Sequence, residues 1–455
     1  MGSVSLLGGT GTGGVTATGE NGGAGSAGAA GGAPGMPGTA GRDGGAAIPC
    51  TIAATSSFSS AIPNVAIVMW STTLQNLTAA EIDFAAASGG GTMVAPVDLS
   101  EAGYRTLLLG MKGNTSYAYT IVARTADGAC TSDSHTIMTG AVPSSAPTVT
   151  PTIMNASAHD RGFIVTSTGL AGSTSFIIDP DGVVVWTAPG PMSPSRAHMS
   201  WDGTRMYMMA LNVRNMGLGN IQSVAMDGTG STSFPGLTTS HHDLAAIPGG
   251  FATLLWNTPG TDAPCSLVEH ADATGTLTTV VADMGTLYNS GTFHTNSVHY
   301  YPGDDTYTVG DRNPSLYVKL TREGELVWQF GGGGPKDPSK FFTGVPTWSI
   351  NHGHQLLPDG TFVFFNNGAN EAWSYALDTT TMTATKILGY TAADGATSSV
   401  LGDVQRLPNG NYLVTFSTAG QIQEITPAGA LVATFTSLSF GYAEFRESLY
   451  GPPPY

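Results

Sequence analysis

Beyond Pro151 the chain is punctuated by two interleaved series of turn residues, and no other feature restricts its fold as strongly. The first series runs Asp160-Arg161-Gly162, Asp202-Gly203, Pro248-Gly249, Asp304-Asp305, Pro358-Asp359-Gly360 and Pro408-Asn409-Gly410. Each member precedes a strand-like run, such as Phe251-Ala-Thr-Leu-Leu-Trp256 or Tyr412-Leu-Val-Thr-Phe416. The second series falls between them, at Asp181-Gly182, Asp227-Gly228, Thr274-Gly275, Glu323-Gly324, Thr380-Thr381 and Ala428-Gly429. Two of its members carry a tryptophan four residues after the glycine, Trp186 and Trp328. Gly, Asn and Asp accept the left-handed backbone that tight hairpins need. Two hairpins per repeat, at a length near the roughly 40 to 50 residues of a four-stranded blade, predict an all-β six-bladed β-propeller over 146–455. A second sandwich or a β-solenoid competes less well, because sandwiches do not repeat this regularly and solenoid repeats are shorter.

Upstream, the alternating segments Val65-Ala-Ile-Val-Met-Trp70 and Tyr117-Ala-Tyr-Thr-Ile-Val-Ala123 predict a small β-sandwich of fibronectin III or immunoglobulin type over 46–145. The Pro- and Ser-rich run Val142 to Pro151 marks the boundary. Residues 1–45 are mostly Gly, Ala, Ser and Thr and predict a disordered tether. Within them glycine recurs every third residue from Gly22 to Gly31 and from Gly32 to Gly44, but each collagen-like run is short and the register breaks between them. Of the three cysteines, Cys50 and Cys130 bracket the sandwich and are candidates for a disulfide, leaving Cys265 alone; three unpaired buried thiols are the alternative.

A net charge of −16 with only 16 Lys and Arg argues against nucleic acid or an anionic membrane as partner. No apolar run reaches the ~18 residues of a membrane span. The low charge content and Gly-rich leader instead predict an exported protein, already processed, that is extracellular, on the cell surface or periplasmic.

Nine of the ten histidines follow Pro151, and some share one register of the repeat. His242 stands six residues before Pro248, and His352 six before Pro358. Equivalent positions on different blades point at one axial site, so the two should converge. His294 and Asn296 precede the corresponding strand of the blade between them, and Arg312 follows it in a chain with few arginines. A guanidinium meets two oxygens of a tetrahedral oxyanion at once. His135, His159, His198, His270 and His299 are read as ordinary hydrogen-bonding residues. Metal binding is the rival reading, resting only on the loose pair His352 and His354.

The stretches Ser240-His-His-Asp-Leu244, His294-Thr-Asn-Ser-Val298, Gly310-Asp-Arg312, Asn351-His352 with Leu356-Leu-Pro-Asp-Gly360, and Phe364-Phe-Asn-Asn-Gly368 occur in this order. That series resembles the motif series of the bacterial arylsulfate sulfotransferases that use no nucleotide donor, over roughly 150–450. The resemblance implies transfer of a sulfuryl group from a phenolic sulfate ester to a phenol by ping-pong chemistry, with no cofactor. His352 would be the nucleophile and would pass through a sulfohistidine. His242 and His294 would exchange the proton with leaving and accepting oxygens, and Arg312 would hold the sulfuryl oxygens. His354, Asn296, His241 and Asn367 would contact substrate. His354 is a second candidate nucleophile, and His241 shadows His242. The chain departs from the family pattern at Asn351, where Gln is common, and at Asn366, where the usual motif is Phe-Asp-Asn-Gly.

Trp256, Phe341, Phe342, Trp348 and Trp373 lie near these motifs, as a phenol pocket or as blade core. Two further readings stay open: a noncatalytic surface propeller that binds ligands or partners, and a metal-dependent hydrolase.

Overall fold

In the computed structural model, which describes residues 46–211, 221–271 and 277–453, the only α-helix is the single turn Met284–Leu287 among otherwise all-β structure. The expected tether over 1–45 and the Thr274-Gly275 turn lie outside the described residues. Of the nine described glycines in the two turn series, eight take the left-handed backbone that the turns predict, and Gly162 does not. Gly182, Gly203, Gly228, Gly249, Gly324, Gly360, Gly410 and Gly429 all adopt φ between 74° and 88°. A Cβ is strained in that region, so glycine fixes where each hairpin turns.

The hairpins build six antiparallel sheets. The second is Pro194–Met199, Arg205–Ala210, Ile221–Ala225 and Thr232–Ser233. The third is Ser240–Ile247, Gly250–Trp256, Cys265–Ala271 and Leu277–Asp283, and the fourth runs from Thr295–Tyr301 through Thr306–Asp311 and Leu316–Thr321 to Leu326–Gly331. The fifth runs from Asn351–Leu356 through Thr361–Asn366 and Glu371–Asp378 to Thr383–Tyr390. The sixth starts at Asp403–Arg406 and ends at Leu431–Thr436, with Thr150–Ile153 on its outer edge.

The first sheet is assembled from both ends of this region. Glu444–Arg446 pairs with Phe163–Ser167, which continues to Thr174–Ile178 and Val184–Pro189. The leading strands of the second to sixth sheets lie side by side in chain order. Gln405 of the sixth sheet then bonds to the Ala443 carbonyl and the Phe445 amide of the first. These leading strands are buried on both faces, which explains their near-continuous burial, for example over all of Ser240–Ile247. Between sheets pack large apolar side chains, among them Trp186 and Trp328, the tryptophans four residues after turn glycines.

Residues 52–138 form two further sheets around one core containing Val68, Trp70, Ile82, Phe84, Tyr117, Tyr119 and Ile121. Ser116–Thr125 alternates buried and half-buried residues along its length, as a strand covered on one face should. Cys50 and Cys130 are joined, their Cα atoms 6.1 Å apart across a separation of 80 residues. Ile62, Val65 and Leu109 share a hydrophobic cluster with Val185, Trp186 and Met226, so this region docks on the first two sheets.

A second tie closes sixth sheet to first. His159 Nδ1 meets the Glu424 carboxylate, and its Nε2 lies 2.8 Å from the Pro180 carbonyl. Both ring nitrogens face acceptors, which suits an imidazolium. Burial alone would lower the His159 pKa, but Glu424 and the Pro180 carbonyl outweigh it and hold it above its ordinary value. Burial would likewise raise Glu424, yet His159 and Asn411 hold it below its ordinary value. A raised histidine contributes stability that is complete below 6.5 and disappears as pH rises through the folded value. A lowered glutamate contributes above 4.5 and loses that as pH falls. The pair should therefore stabilise most between 4.5 and 6.5. The stability gap between wild type and His159→Gln, by urea unfolding, is expected to be about 1.5–3 kcal/mol there and to shrink towards pH 9. A gap that does not change with pH would mean that the imidazole is neutral.

Candidate active site

The leading strands enter the ring of sheets with the same irregularity. The ladder skips residues between Pro194 and Arg196, between His241 and Leu244, between Thr295 and Ser297, and between Asn351 and His354. Each is a β-bulge, which re-aims the side chain of the extra residue. The residues so released include His242, Asn296 and His352. His242 and Ile350 take left-handed backbones with φ of 60°, a conformation uncommon for any side chain and rare for a β-branched one. Backbone strain of this kind persists only where the surroundings hold it, so the histidine-bearing segments are fixed by their neighbours.

His352 is 1% exposed, with Nδ1 2.6 Å from Asn367 Oδ1. The amide nitrogen of Asn367 donates to the carbonyls of Ser398 and Leu401, at 2.8 and 2.7 Å. With that amide fixed, Oδ1 is the atom facing the imidazole, so Nδ1 carries the proton and Nε2 keeps its lone pair. Burial chiefly pushes the His352 pKa down, to about 3, with Arg312 adding to the effect against the Asn367 bond. The ring is therefore neutral at physiological pH. Tyr317 Oη donates to the His352 carbonyl at 2.7 Å and fixes the backbone.

His242 lies 3.3 Å from His294, Nε2 to Nε2, and 2.9 Å from His241, Nδ1 to Nδ1. Trp256 stacks on His241 with centroids 3.9 Å apart, and stands 5.2 Å from His294. Burial drives both His241 and His242 well below the ordinary histidine value, and for His242 the neighbouring His294, His241, His352 and Arg312 all push the same way. Arg312 and His352 both disfavour a positive charge on His242, and Arg312 does the same to His352. The Arg312 amide donates to the His294 carbonyl at 3.2 Å. Asn296 donates to the Asn351 carbonyl at 2.6 Å, and its own carbonyl accepts from Tyr442 Oη at 2.9 Å.

The structure thus brings His242, His294, His352, Arg312, Asn296, His241 and Asn367 together, and separates His354 from them in role. Both His354 ring nitrogens are occupied, by Ser297 Oγ at 3.0 Å and Thr308 Oγ1 at 2.8 Å, which leaves no lone pair for attack. Asn366 accepts from the Ala369 amide and does not touch His352, so the lost carboxylate of that motif falls on a turn. Asn351 accepts from Trp348 Nε1 at 3.0 Å. Of the aromatics, only Trp256 borders the histidines; Phe342, Trp348 and Trp373 pack with Phe330 and Phe364, and Phe341 lies beside Gln329.

Beside the histidines lies a charged cluster centred on Arg196, which no motif announced, with Asp243 of the Ser240–Leu244 motif as one of its partners. Arg196 is 6% exposed and binds Asp243 at 2.7 Å, Asp403 at 3.2 Å and the Ala443 carbonyl at 3.0 Å, with the Tyr442 ring 4.5 Å from its guanidinium carbon. Gly353 separates His352 from His354 because a Cβ there would stand 2.2 Å from Asp403 Oδ1. Further along the same strands, a cavity lined by His198, His299, Gln355, Gln405 and Glu444 holds none of the three site histidines.

Residues 265–438 match the model of the arylsulfotransferase (ASST) family. The matched segment contains His294, Arg312, His352 and Asn367, whereas His241 and His242 precede it. No curated protein matches the sequence. Among solved structures, a protein of unknown function from Bacteroides caccae aligns at 12% identity over 63% of this chain and 99% of its own, with a TM-score of 0.44. A streptogramin B lyase aligns at 14% identity over 63% and 86%, TM-score 0.37, and the virginiamycin B lyase of Staphylococcus aureus at 11% over 78% and 99%, TM-score 0.36.

Proposed function

We propose, for a chain whose residues 265–438 match the arylsulfotransferase family model, that the six sheets are the blades of a β-propeller carrying a sulfuryl-transfer site at one mouth. Residues 46–145 are then a fibronectin-like sandwich in front of a catalytic domain over 146–455, and the protein works outside the cytoplasm. The substrates are phenolic sulfate esters and phenols.

The observation that carries this reading is the fixed tautomer of His352. Asn367 occupies the protonated Nδ1, so a neutral imidazole keeps the Nε2 lone pair for attack. Attack of Nε2 on sulfur would form the N–S bond as the S–O bond to the aryl group breaks, and the phenolate would leave with a proton from the His242 and His294 pair. Arg312 would hold the sulfuryl oxygens throughout. A second phenol would return its proton to the pair while its oxygen displaces Nε2 from sulfur. Because the two half-reactions are mirror images, one set of residues serves both.

The test is release of nitrophenol from 4-nitrophenyl sulfate with and without phenol, followed by mass analysis of the peptide containing His352 after quenching in base. Acceptor-dependent release and a sulfuryl adduct on His352 are expected, without added nucleotide. Absence of both, across several donors and acceptors, would favour a ligand-binding propeller instead.

A further inference from the structure

The contacts around His242 go beyond a simple acid–base pair. A neutral imidazole has one donor and one acceptor nitrogen. Here both His242 nitrogens face other imidazole nitrogens, His241 Nδ1 at 2.9 Å and His294 Nε2 at 3.3 Å. Three rings in a row are thus joined nitrogen to nitrogen. Such a row is satisfied either by ordered tautomers or by one excess proton on the central ring, which then donates in both directions. His241 cannot swing away, since it is fully buried and stacked on Trp256 at 18° between planes. His242 is held by its bulge, its left-handed backbone and the bond from its amide to the Leu211 carbonyl, 3.3 Å.

We propose that His241, His242 and His294 share one excess proton as a unit, and that His241 is a positioning residue that makes His242 its seat. This rests on the sulfuryl-transfer reading above. Among the described residues, the groups that act electrostatically on His242 are His294, His241, His352 and Arg312, none of them anionic. The adjacent carboxylate, Asp243, is turned to Arg196 and to the amides of Leu244 and Val298. The excess proton therefore enters with the anionic ester, whose charge balances it. When the S–O bond breaks, the phenolate oxygen takes that proton and leaves as a phenol. The acceptor phenol restores the proton as its oxygen bonds to sulfur and the N–S bond breaks. Proton and sulfuryl group both balance over the cycle, and no other reactant is needed.

His241→Phe keeps a ring on Trp256 and removes Nδ1; His241→Asn keeps a polar group near the Nδ1 position. With phenyl sulfate, a poor leaving group that needs the proton, His241→Phe is expected to lower kcat about a hundredfold. With 4-nitrophenyl sulfate, whose anion leaves unaided, the loss should stay below about threefold, and His241→Asn should recover part of the phenyl sulfate rate. Equal losses on the two donors would reduce His241 to a packing residue and overturn the proposal, as would no loss on either. If wild type transfers no sulfuryl group from any donor, it is the functional reading that fails. The shared proton is then judged by nitrogen NMR of the imidazoles in the presence of inorganic sulfate. His241 and His242 are expected to titrate together, and independent titration would overturn the unit.

Discussion

On the sulfuryl-transfer reading, His352→Ala is expected to remain folded and to transfer sulfuryl groups at least about ten-thousandfold more slowly than wild type, because removing the proposed covalent nucleophile would abolish the intermediate rather than misplace it. Nitrophenol release under saturating acceptor measures the loss, and circular dichroism checks the fold. A graded companion is Asn367→Leu. It leaves the nucleophile in place but removes the acceptor that keeps the proton on Nδ1. The lone pair is then no longer confined to Nε2, and a loss of about a hundredfold in kcat with little change in KM is expected, the scale of a misaligned reacting group. The order of the two losses is informative in itself. If Asn367→Leu costs as much as His352→Ala, the asparagine acts directly on substrate; if His352→Ala keeps a tenth of the activity, another residue is the nucleophile.

The second large effect concerns stability. Arg196→Met is expected to destabilise the protein by about 3–5 kcal/mol near neutral pH, the range for removing one partner of a buried ion pair. Two carboxylates, Asp243 and Asp403, would lose their counter-ion at 1% exposure each. Burial already pushes Asp403 up to about 7, with Arg196 opposing. A carboxyl raised in the folded state contributes stability below 3.8 that is lost as pH rises towards 7. Without Arg196 that loss should deepen, so the gap between mutant and wild type should narrow on acidification. Urea midpoints at pH 5 and pH 8 would measure it. Equal gaps at the two pH values would mean that methionine merely packs badly.

The hairpin glycines were legible because a turn that requires φ near 80° leaves a residue-type signature at a fixed spacing. The equivalence of His242 and His352 was legible for the same reason, counted back from the turn. What counting could not reveal was the bulge. Nothing in Ser240-His-His-Asp-Leu244 says that the ladder skips two residues there, although four polar residues in a row inside a wholly buried strand hint that it is not regular. The bulge decides which of two adjacent histidines faces the site, and it gives His241 a part in holding His242. Asn367 fell within a motif, but its role as the partner of His352 depends on carbonyls at Ser398 and Leu401 that the chain brings back from the next sheet. Arg196 was invisible, since its partners come from the third and sixth sheets and no local pattern surrounds it. His354 stands two residues out of the register that His352 shares with His242, and the hydroxyls of Ser297 and Thr308 that occupy both its ring nitrogens come from the fourth sheet, beyond the reach of any local pattern.

The pairing of Glu444–Arg446 with Phe163–Ser167 has a consequence for the order of events during synthesis. The innermost strand of the first sheet is translated some 280 residues after the strand it pairs with, the separation being 446 − 163 = 283 for the pair Phe163 and Arg446. Until it leaves the ribosome, the first sheet lacks an edge and Asn296 lacks the phenol of Tyr442. Sheets two to five can form as local hairpins while the chain grows, but the ring cannot shut, and contacts this distant in sequence form slowly. The nascent protein is thus an open arc with an unfinished site, and activity should appear only once Glu444–Arg446 has been made and has paired.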